Sequence, residues 1–258
     1  MNARLQDKTV IVTGSTTGIG RAIAERCAAE GAHVLVHGRN AEQGREVVAG
    51  LNGRGSLHLD DLADPECPQR IIAAALAAFG RIDAIINNAA MVSRSNLEST
   101  AVPFFDKIMA INVRAPLLLI QAGFAELRRS QGCVLNIGSI NAHSGESDLL
   151  DYSLSKGALQ TLSRNLANAH AGSGVRFNHF NVGWVLTSNE DALQKKLGQP
   201  DDWAQHVPKQ FAPSGRLIAP NEIAAAAVYW VSDESRPING TVLELEQFCV
   251  YGRNPSKA

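Results

Sequence analysis

The sequence predicts an α/β fold: a single-domain, Rossmann-type, doubly wound parallel sheet of about seven strands with helices on both faces. Three observations predict it. Short apolar runs alternate with longer helical patterns, the rhythm of successive βαβ units. A glycine-rich turn, Thr13-Gly14-Ser15-Thr16-Thr17-Gly18-Ile19-Gly20, directly follows the first run. No internal repeat, low-complexity tract or Pro/Gly/Ser-rich linker divides the 258 residues, and one domain over 1–258 is the reading.

The elements follow in order. Thr9 to Val12 is the first strand, and the helix after the turn runs from about Ile19 to Ala29, with apolar residues at Ile19, Ile23, Ala24 and Cys27. It stops at Gly31. Further strands are predicted at Val34–Val36, Leu57–Leu59, Ala84–Ile86, Val134–Ile137, Val175–Asn178 and Val242–Leu245. Helical spacing covers Ile71–Phe79, Phe104–Leu127, Tyr152–Ala169 and Ile223–Val231, and Pro116 should kink or divide the second of these. The rhythm breaks over 188–215, which is polar, holds Pro200, Pro208 and Pro213, and has one weak helical stretch near Asp191 to Leu197. A long excursion of this kind is read as a substrate lid, with a solvated surface insertion as the alternative.

Composition narrows the function. The chain is 45% apolar and 19% charged, which argues for a globular protein and against disorder. A net charge of −1 gives no electrostatic case for nucleic acid or an anionic membrane as partner. Cys27, Cys67, Cys133 and Cys249 lie far apart, without metal-ligand spacing, so no metal is expected and the thiols are read as reduced. Cys133, inside an apolar run, reads as a small core residue. Val10-Ile11-Val12 is too short for a secretory or membrane-spanning core. A cytoplasmic protein with a small-molecule substrate is expected.

Gly14, Gly18 and Gly20 lie between a strand and an amphipathic helix, where the backbone can turn tightly and approach a phosphate. The helix start adds unpaired N–H groups and a positive dipole end. The second strand leads into His37-Gly38-Arg39-Asn40. An acid there would accept from a ribose 2′-OH, whereas Arg39 offers a fork of donors to a 2′-phosphate, which favours NADP(H) over NAD(H). The alternative leaves Arg39 in solvent or stacked on adenine.

Tyr152 and Lys156 lie at i, i+4 on one helix face. A phenol titrates at about 10. An ammonium about 4 Å away, at an effective dielectric of about 20, stabilises the phenolate by up to about 4 kcal/mol, some ~3 pKa units. That would bring Tyr152 toward a general acid/base. Composition alone gives such a pair in about one chain in ten, so Ser139 matters: it follows the fifth strand, at the carboxyl end of the sheet where open α/β proteins place ligands.

With these motifs on the page, the chain resembles a classical short-chain dehydrogenase/reductase from Lys8 to about Leu245. Thr13-Gly14-x-x-x-Gly18-Ile19-Gly20, Asp61, Asn87-Asn88-Ala89-Ala90, Asn112, Ser139 and Tyr152 with Lys156 occur in the family's order. The resemblance implies a tetrad of Asn112, Ser139, Tyr152 and Lys156, with Asn112 holding a water in the proton path and Lys156 bonding the nicotinamide ribose. It implies a cofactor wall of Gly14, Ser15, Thr17, Gly18, Ile19, Gly20, Arg39, Asp61, Leu62, Asn88 and Ala89, with Asp61 at the adenine amino group and Asn87 starting the turn beside the ribose. Gly183, Val185 and Thr187 would complete that wall, Thr187 at the carboxamide. Homo-oligomers, tetramers or dimers, that pair the Asn112 and Tyr152 helices are also implied, with Ala158, Ala167 and Ala169 permitting close packing.

The sequence departs from the family in two places. Val182-Gly183 replaces a Pro-Gly, and Glu244-Leu245-Glu246-Gln247-Phe248, followed by Cys249 to Ala258, replaces an acidic-Gly-Gly ending. Asn141, His143, Trp184, Asn189 and Glu190 follow the Ser139 and Gly183 motifs and are expected to face the substrate. Their polarity favours a sugar, sugar acid or polyol over a steroid or long acyl chain. Two other readings stay open: an NAD-dependent alcohol dehydrogenase or 3-oxoacyl reductase, and a cofactor-binding regulator without chemistry.

Overall fold

The computed structural model describes residues 3–250. In chain order the elements are β1 (Thr9–Val12), α1 (Gly18–Ala29), β2 (His33–Gly38), α2 (Ala41–Gly50), β3 (Gly55–Leu59), α3 (Cys67–Phe79) and β4 (Ala84–Asn87). There follow α4 (Val102–Met109), α5 (Ala115–Ser130), β5 (Cys133–Ser139), α6 (Asn141–Ser144), α7 (Leu150–Ala169), β6 (Arg176–Val182), α8 (Ser188–Lys196), α9 (Pro220–Val231) and β7 (Val242–Leu245). One parallel sheet runs β3-β2-β1-β4-β5-β6-β7. Chain order reverses between β1 and β4, and the crevice at that switch point is where such sheets bind ligands.

Strand alternation sorts the core into two layers. Val10, Val12, Val34, Val36 and Ile86 face α1, α2 and α9, while Ile11, Leu35, Ile85, Val134 and Phe177 face α3, α5 and α7. Both faces of the central strands are therefore apolar, which is why they read as continuous runs rather than as alternation.

The structure extends one expected strand, adds one helix and shows how another is interrupted. The sixth strand begins at Arg176 and runs four residues past Asn178. Its far half, Asn178-His179-Phe180-Asn181, is largely polar yet buried, so hydropathy conceals it. The helix α2 carried no expectation; its N-cap Asn40 accepts from the backbone N–H of Glu42 and Gln43 at 3.0 and 3.1 Å. The expected interruption at Pro116 is present as a break between two helices. The proline sits in the first turn of α5, and Ala110–Arg114 forms a π turn joining α4 to α5. Proline has no N–H for the Asn112 carbonyl four residues back, so an α-helical bond is impossible there and the wider turn takes its place.

Cys27, Cys67 and Cys133 are buried free thiols, and burial pushes the first two up to about 12. The terminal part of the unusual ending, 251–258, lies outside the described residues.

Candidate functional site

A cleft of about 690 Å³ opens at the carboxyl ends of β1, β2, β4, β5 and β6. At one end the backbone makes the site. Gly14 has φ +63°, and a Cβ there would meet Ala89 Cα at 2.8 Å. A Cβ on Gly20 would collide with the Gly14 carbonyl and the Asn88 amide. Asn88 supports the turn by donating from Nδ2 to the Thr13 and Gly14 carbonyls at 2.9 and 3.2 Å. Thr17, at the N-cap of α1, makes no side-chain cap, so the first N–H groups of that helix face the cleft without an internal acceptor. Close glycine approach beside an uncapped helix start fits a pyrophosphate.

Arg39 reaches this end with 71% of its side chain exposed and only a 3.9 Å approach to Asp61 Oδ2. Asp60 is spoken for: Arg70 donates to both its oxygens at 2.7 and 2.9 Å and holds its carboxyl well below the usual range. Asp61 accepts from Ala63 N at 2.9 Å, and Leu62 lines the wall beside it. Sequence reasoning missed His37, whose Nδ1 accepts from Gly14 N–H at 3.4 Å. Burial lowers His37 to about 4, which keeps the ring a neutral acceptor beneath the glycine turn.

Ser15 does not belong to the wall. It is wholly buried, donating to the Val12 carbonyl at 2.7 Å and accepting from His37 N–H at 3.0 Å. Its hydroxyl closes the turn, and Thr16 takes the lining position.

At the other end the chemistry sits on side chains. Ser139, the last residue of β5, and the half-buried Tyr152 on α7 line the cleft together. Lys156 is buried one turn along, 5.6 Å from the Tyr152 ring centre, and donates to the Ile137 carbonyl at 2.7 Å. The expected lowering of the phenol is reversed here. Burial raises Tyr152 to about 12, against the Ser139 hydroxyl that lowers it, and burial takes Lys156 down to about 8. The ammonium is directed to a carbonyl, and desolvation outweighs the attraction expected from i, i+4 spacing.

Asn112 stands behind the wall. Its Oδ1 accepts from Met91 N at 2.8 Å, and its Nδ2 donates to Met91 O at 3.0 Å and to Ser155 Oγ at 2.9 Å. The side chain thus ties the β4–α4 loop to the catalytic helix. A second tie was not foreseen. Asp151, fully buried, accepts from Thr100 Oγ1 at 2.6 Å, and its N–H donates to Ser95 Oγ at 3.1 Å. Ser95 also bridges to Leu149. Tyr152 is therefore held by a loop some ~50 residues away in sequence, and no local pattern announces that pairing.

Asn87 turns away from the cleft and donates to Asn136 Oδ1 at 2.8 Å. It opens a buried polar row across β4, β5 and β6 in register: Asn136 donates to Ser163 Oγ, and Ser163 meets His179 Nδ1 at 3.0 Å. His179 Nε2 then meets Asn181 Oδ1 at 3.0 Å. Gly138 admits this ring, since a Cβ there would strike it.

Of the expected substrate residues, Trp184 and Asn189 line the cleft, as does Glu190. Asn189 donates to Thr17 Oγ1 at 3.2 Å, joining the 188–215 excursion to the glycine turn. Asn141 and His143 do not line it. Asn141 donates to Glu146 Oε2 at 3.3 Å, whereas His143 is drawn inward to Asn181 at 2.7 Å and Glu244 at 2.9 Å. Thr187 lines the cleft and caps α8 by accepting from Glu190 N–H at 3.1 Å; Gly183 and Val185 complete the wall. Among the described residues no group of three or more His, Cys, Asp or Glu could hold a metal ion.

Comparison with known proteins agrees with this geometry. A family profile described as "Enoyl-(Acyl carrier protein) reductase" matches residues 14–246. D-threitol dehydrogenase of Mycolicibacterium smegmatis is 34% identical, covering 94% of this chain and 93% of its own. L-sorbose reductase from Gluconobacter frateurii, solved with NADPH and L-sorbose, superposes with a TM-score of 0.92 at 26% identity, over 97% of this chain and 99% of its own. A putative gluconate 5-dehydrogenase from Beutenbergia cavernae with bound NADP gives a TM-score of 0.85 at 30% identity, over 95% and 98%.

Proposed function

Because this chain belongs to the classical short-chain dehydrogenase/reductase family, we propose that it is an NADP(H)-preferring reductase of a ketone on a sugar-like or polyol-like substrate. The observation that carries the reading is that Ser139, Tyr152 and Lys156 line one end of a cleft whose far end is shaped for a pyrophosphate. Similarity to a threitol dehydrogenase and a sorbose reductase supports the substrate class. The 2′-phosphate preference rests on Arg39 having, among the described residues, only the 3.9 Å approach of Asp61 and on Asp60 being neutralised by Arg70.

When bound, a nicotinamide cofactor supplies or accepts the hydride. The chain does the rest. Ser139 holds the substrate oxygen, and Tyr152 gives that oxygen a proton. A phenol raised to about 12 is protonated at neutral pH, which suits a proton donor. Lys156 stands beside the phenolate left behind, where its charge favours that ion. Asn112 and Asp151 hold the helix and loop that aim Tyr152.

We read 188–215 as the substrate lid: α8 and the turn at Trp203–Gln205 pack Trp203, Ala212 and Leu217 against Trp184 in the cleft wall. The 29-residue helical run Val102–Ser130 is long and apolar enough to cross a membrane, but half of it is buried in the fold. Its remaining apolar side chains, Val102 and Leu117, with Leu154 on α7, are read as a contact between copies of the chain. Ala167 has no part in that contact, being packed inward against Gly240. Within this reading the protein is cytoplasmic.

The test is Tyr152→Phe. Turnover of any established ketone substrate should fall by about 10³-fold or more, while fluorescence-monitored NADPH affinity stays within about threefold. Unchanged turnover would remove Tyr152 from its role and the reading with it.

A further inference from the structure

We infer that Glu190 makes the site select neutral polyhydroxylated substrates and exclude carboxylated ones, an inference that rests on the polyol-ketone reading above. The carboxylate is a built feature of the cleft wall. Glu190 lies in the first turn of α8, its N–H fixed to Thr187 Oγ1 at 3.1 Å. Trp184 Nε1 and Gln194 Nε2 both donate to Oε1, at 2.9 and 2.8 Å. Both bonds end on one oxygen, and Oε2 receives none from the described residues.

The partner that orients it is itself immobile. The Trp184 ring stacks on Trp203 at 5.7 Å between centroids and meets Phe211 edge-on at 6.3 Å. Beside it Glu246, a half-buried carboxyl that accepts from Gln247 N at 2.6 Å, is seated so closely under Gly183 that any Cβ there would strike it. The atypical Val182-Gly183 and Glu244-Leu245-Glu246 segments thus meet next to Trp184.

A fixed carboxylate with one open oxygen accepts hydrogen bonds from substrate hydroxyls, and such bonds to an ionised acceptor are the stronger kind. The same charge repels a substrate carboxylate in a partly desolvated cleft. No cation on the same segment offsets it. The lining cations are Arg39 beside Asp61, Lys156 on the Ile137 carbonyl, and Lys107 across on α4. The Gly183–Glu190 segment contributes an acid and no base.

The experiment uses the full chain with NADPH and chain-length-matched pairs, each a ketose and the corresponding keto-aldonic acid. The wild type should favour the ketose by about 30-fold or more in kcat/KM. Glu190→Gln keeps an oxygen for Trp184 and Gln194 but loses the charge. It should raise kcat/KM for the acid about tenfold and raise the ketose KM more than it lowers kcat, with NADPH affinity unchanged. Quenching of tryptophan fluorescence by the ketose, and not by the acid, is the expected binding signature. A wild-type preference for the acid, or a ketose-to-acid ratio that Glu190→Gln leaves unmoved, overturns the inference while leaving the polyol-ketone reading standing. Turnover confined to lipophilic ketones overturns both. Lys107→Gln is the control: loss of acid turnover with that variant would mark an anion subsite on α4 and also defeat the role given to Glu190.

Discussion

The two ends of the cleft are made of different material. At the pyrophosphate end the wall is backbone: Gly14, Gly18 and Gly20, the open start of α1, and strand ends brought together by the sheet. At the substrate end it is side chains, held by residues further off in sequence: Tyr152 by Ser95 and Thr100 through Asp151, and Trp184 by Trp203 and Phe211. A backbone site is spelled by a local motif because glycine spacing dictates its shape. A side-chain site is spelled by pairings that exist only after folding. One end can therefore be shared by proteins with unlike substrates, while the other changes with each of them.

Matched glycine substitutions should separate the two ends. Gly20→Ala places a methyl against the Gly14 carbonyl, and NADPH affinity should fall by about 100-fold in a fluorescence titration. Gly183→Ala presses instead on the Glu246 carboxylate. Its main effect should be a rise of about tenfold in substrate KM, through displacement of Trp184, with the smaller change in NADPH affinity. Equal losses of NADPH binding in both variants would mean that the two ends are one mechanical unit. Within the pyrophosphate end, Arg39→Asp should shift the ratio of NADPH to NADH affinity by about 30-fold toward NADH, since an acid there accepts from a 2′-OH and repels a 2′-phosphate. A ratio that does not move would assign Arg39 to solvent.

The same contrast explains what could be read from the residues. The central strands, the glycine turn and the Tyr152–Lys156 face were legible because each follows a period or a spacing that local physics enforces. The second half of β6 was hidden because its interior residues, His179 and Asn181, are polar and satisfied by Ser163 and Gln160 on α7. Ser15 and Asn87 carry motif positions yet turn inward, Ser15 to close the glycine turn and Asn87 to open a buried polar row. His143 was expected at the substrate and is taken by Asn181 and Glu244 instead. The direction of the Tyr152 shift was misjudged for a related reason. Spacing along a helix fixes which groups are neighbours, but burial and the carbonyl of Ile137 decide what the Lys156 charge is used for.

The smallest expected effect concerns stability, and it again sets one end against the other. Each end rests on a buried neutral histidine: His37 under the glycine turn, lowered to about 4, and His179 behind Gly138, lowered to about 3, both mainly by burial. The unfolded chain protonates histidine near the ordinary value of about 6.5, so below that pH it binds protons the folded state refuses. Stability is therefore whole above about pH 6.5 and is lost as pH falls toward the folded values, at up to about 1.4 kcal/mol per pH unit for each ring. Urea midpoints measured between pH 7.5 and 5 should decline on that slope. His37→Asn, compared with its own stability at pH 7.5, should lose about 2 kcal/mol less than the wild type on the same acidification, and it should weaken NADPH binding, because the acceptor for Gly14 N–H is displaced. If the variant loses as much stability in acid as the wild type, His37 is not held neutral, and the support of the glycine turn lies with Asn88 and Ser15 instead.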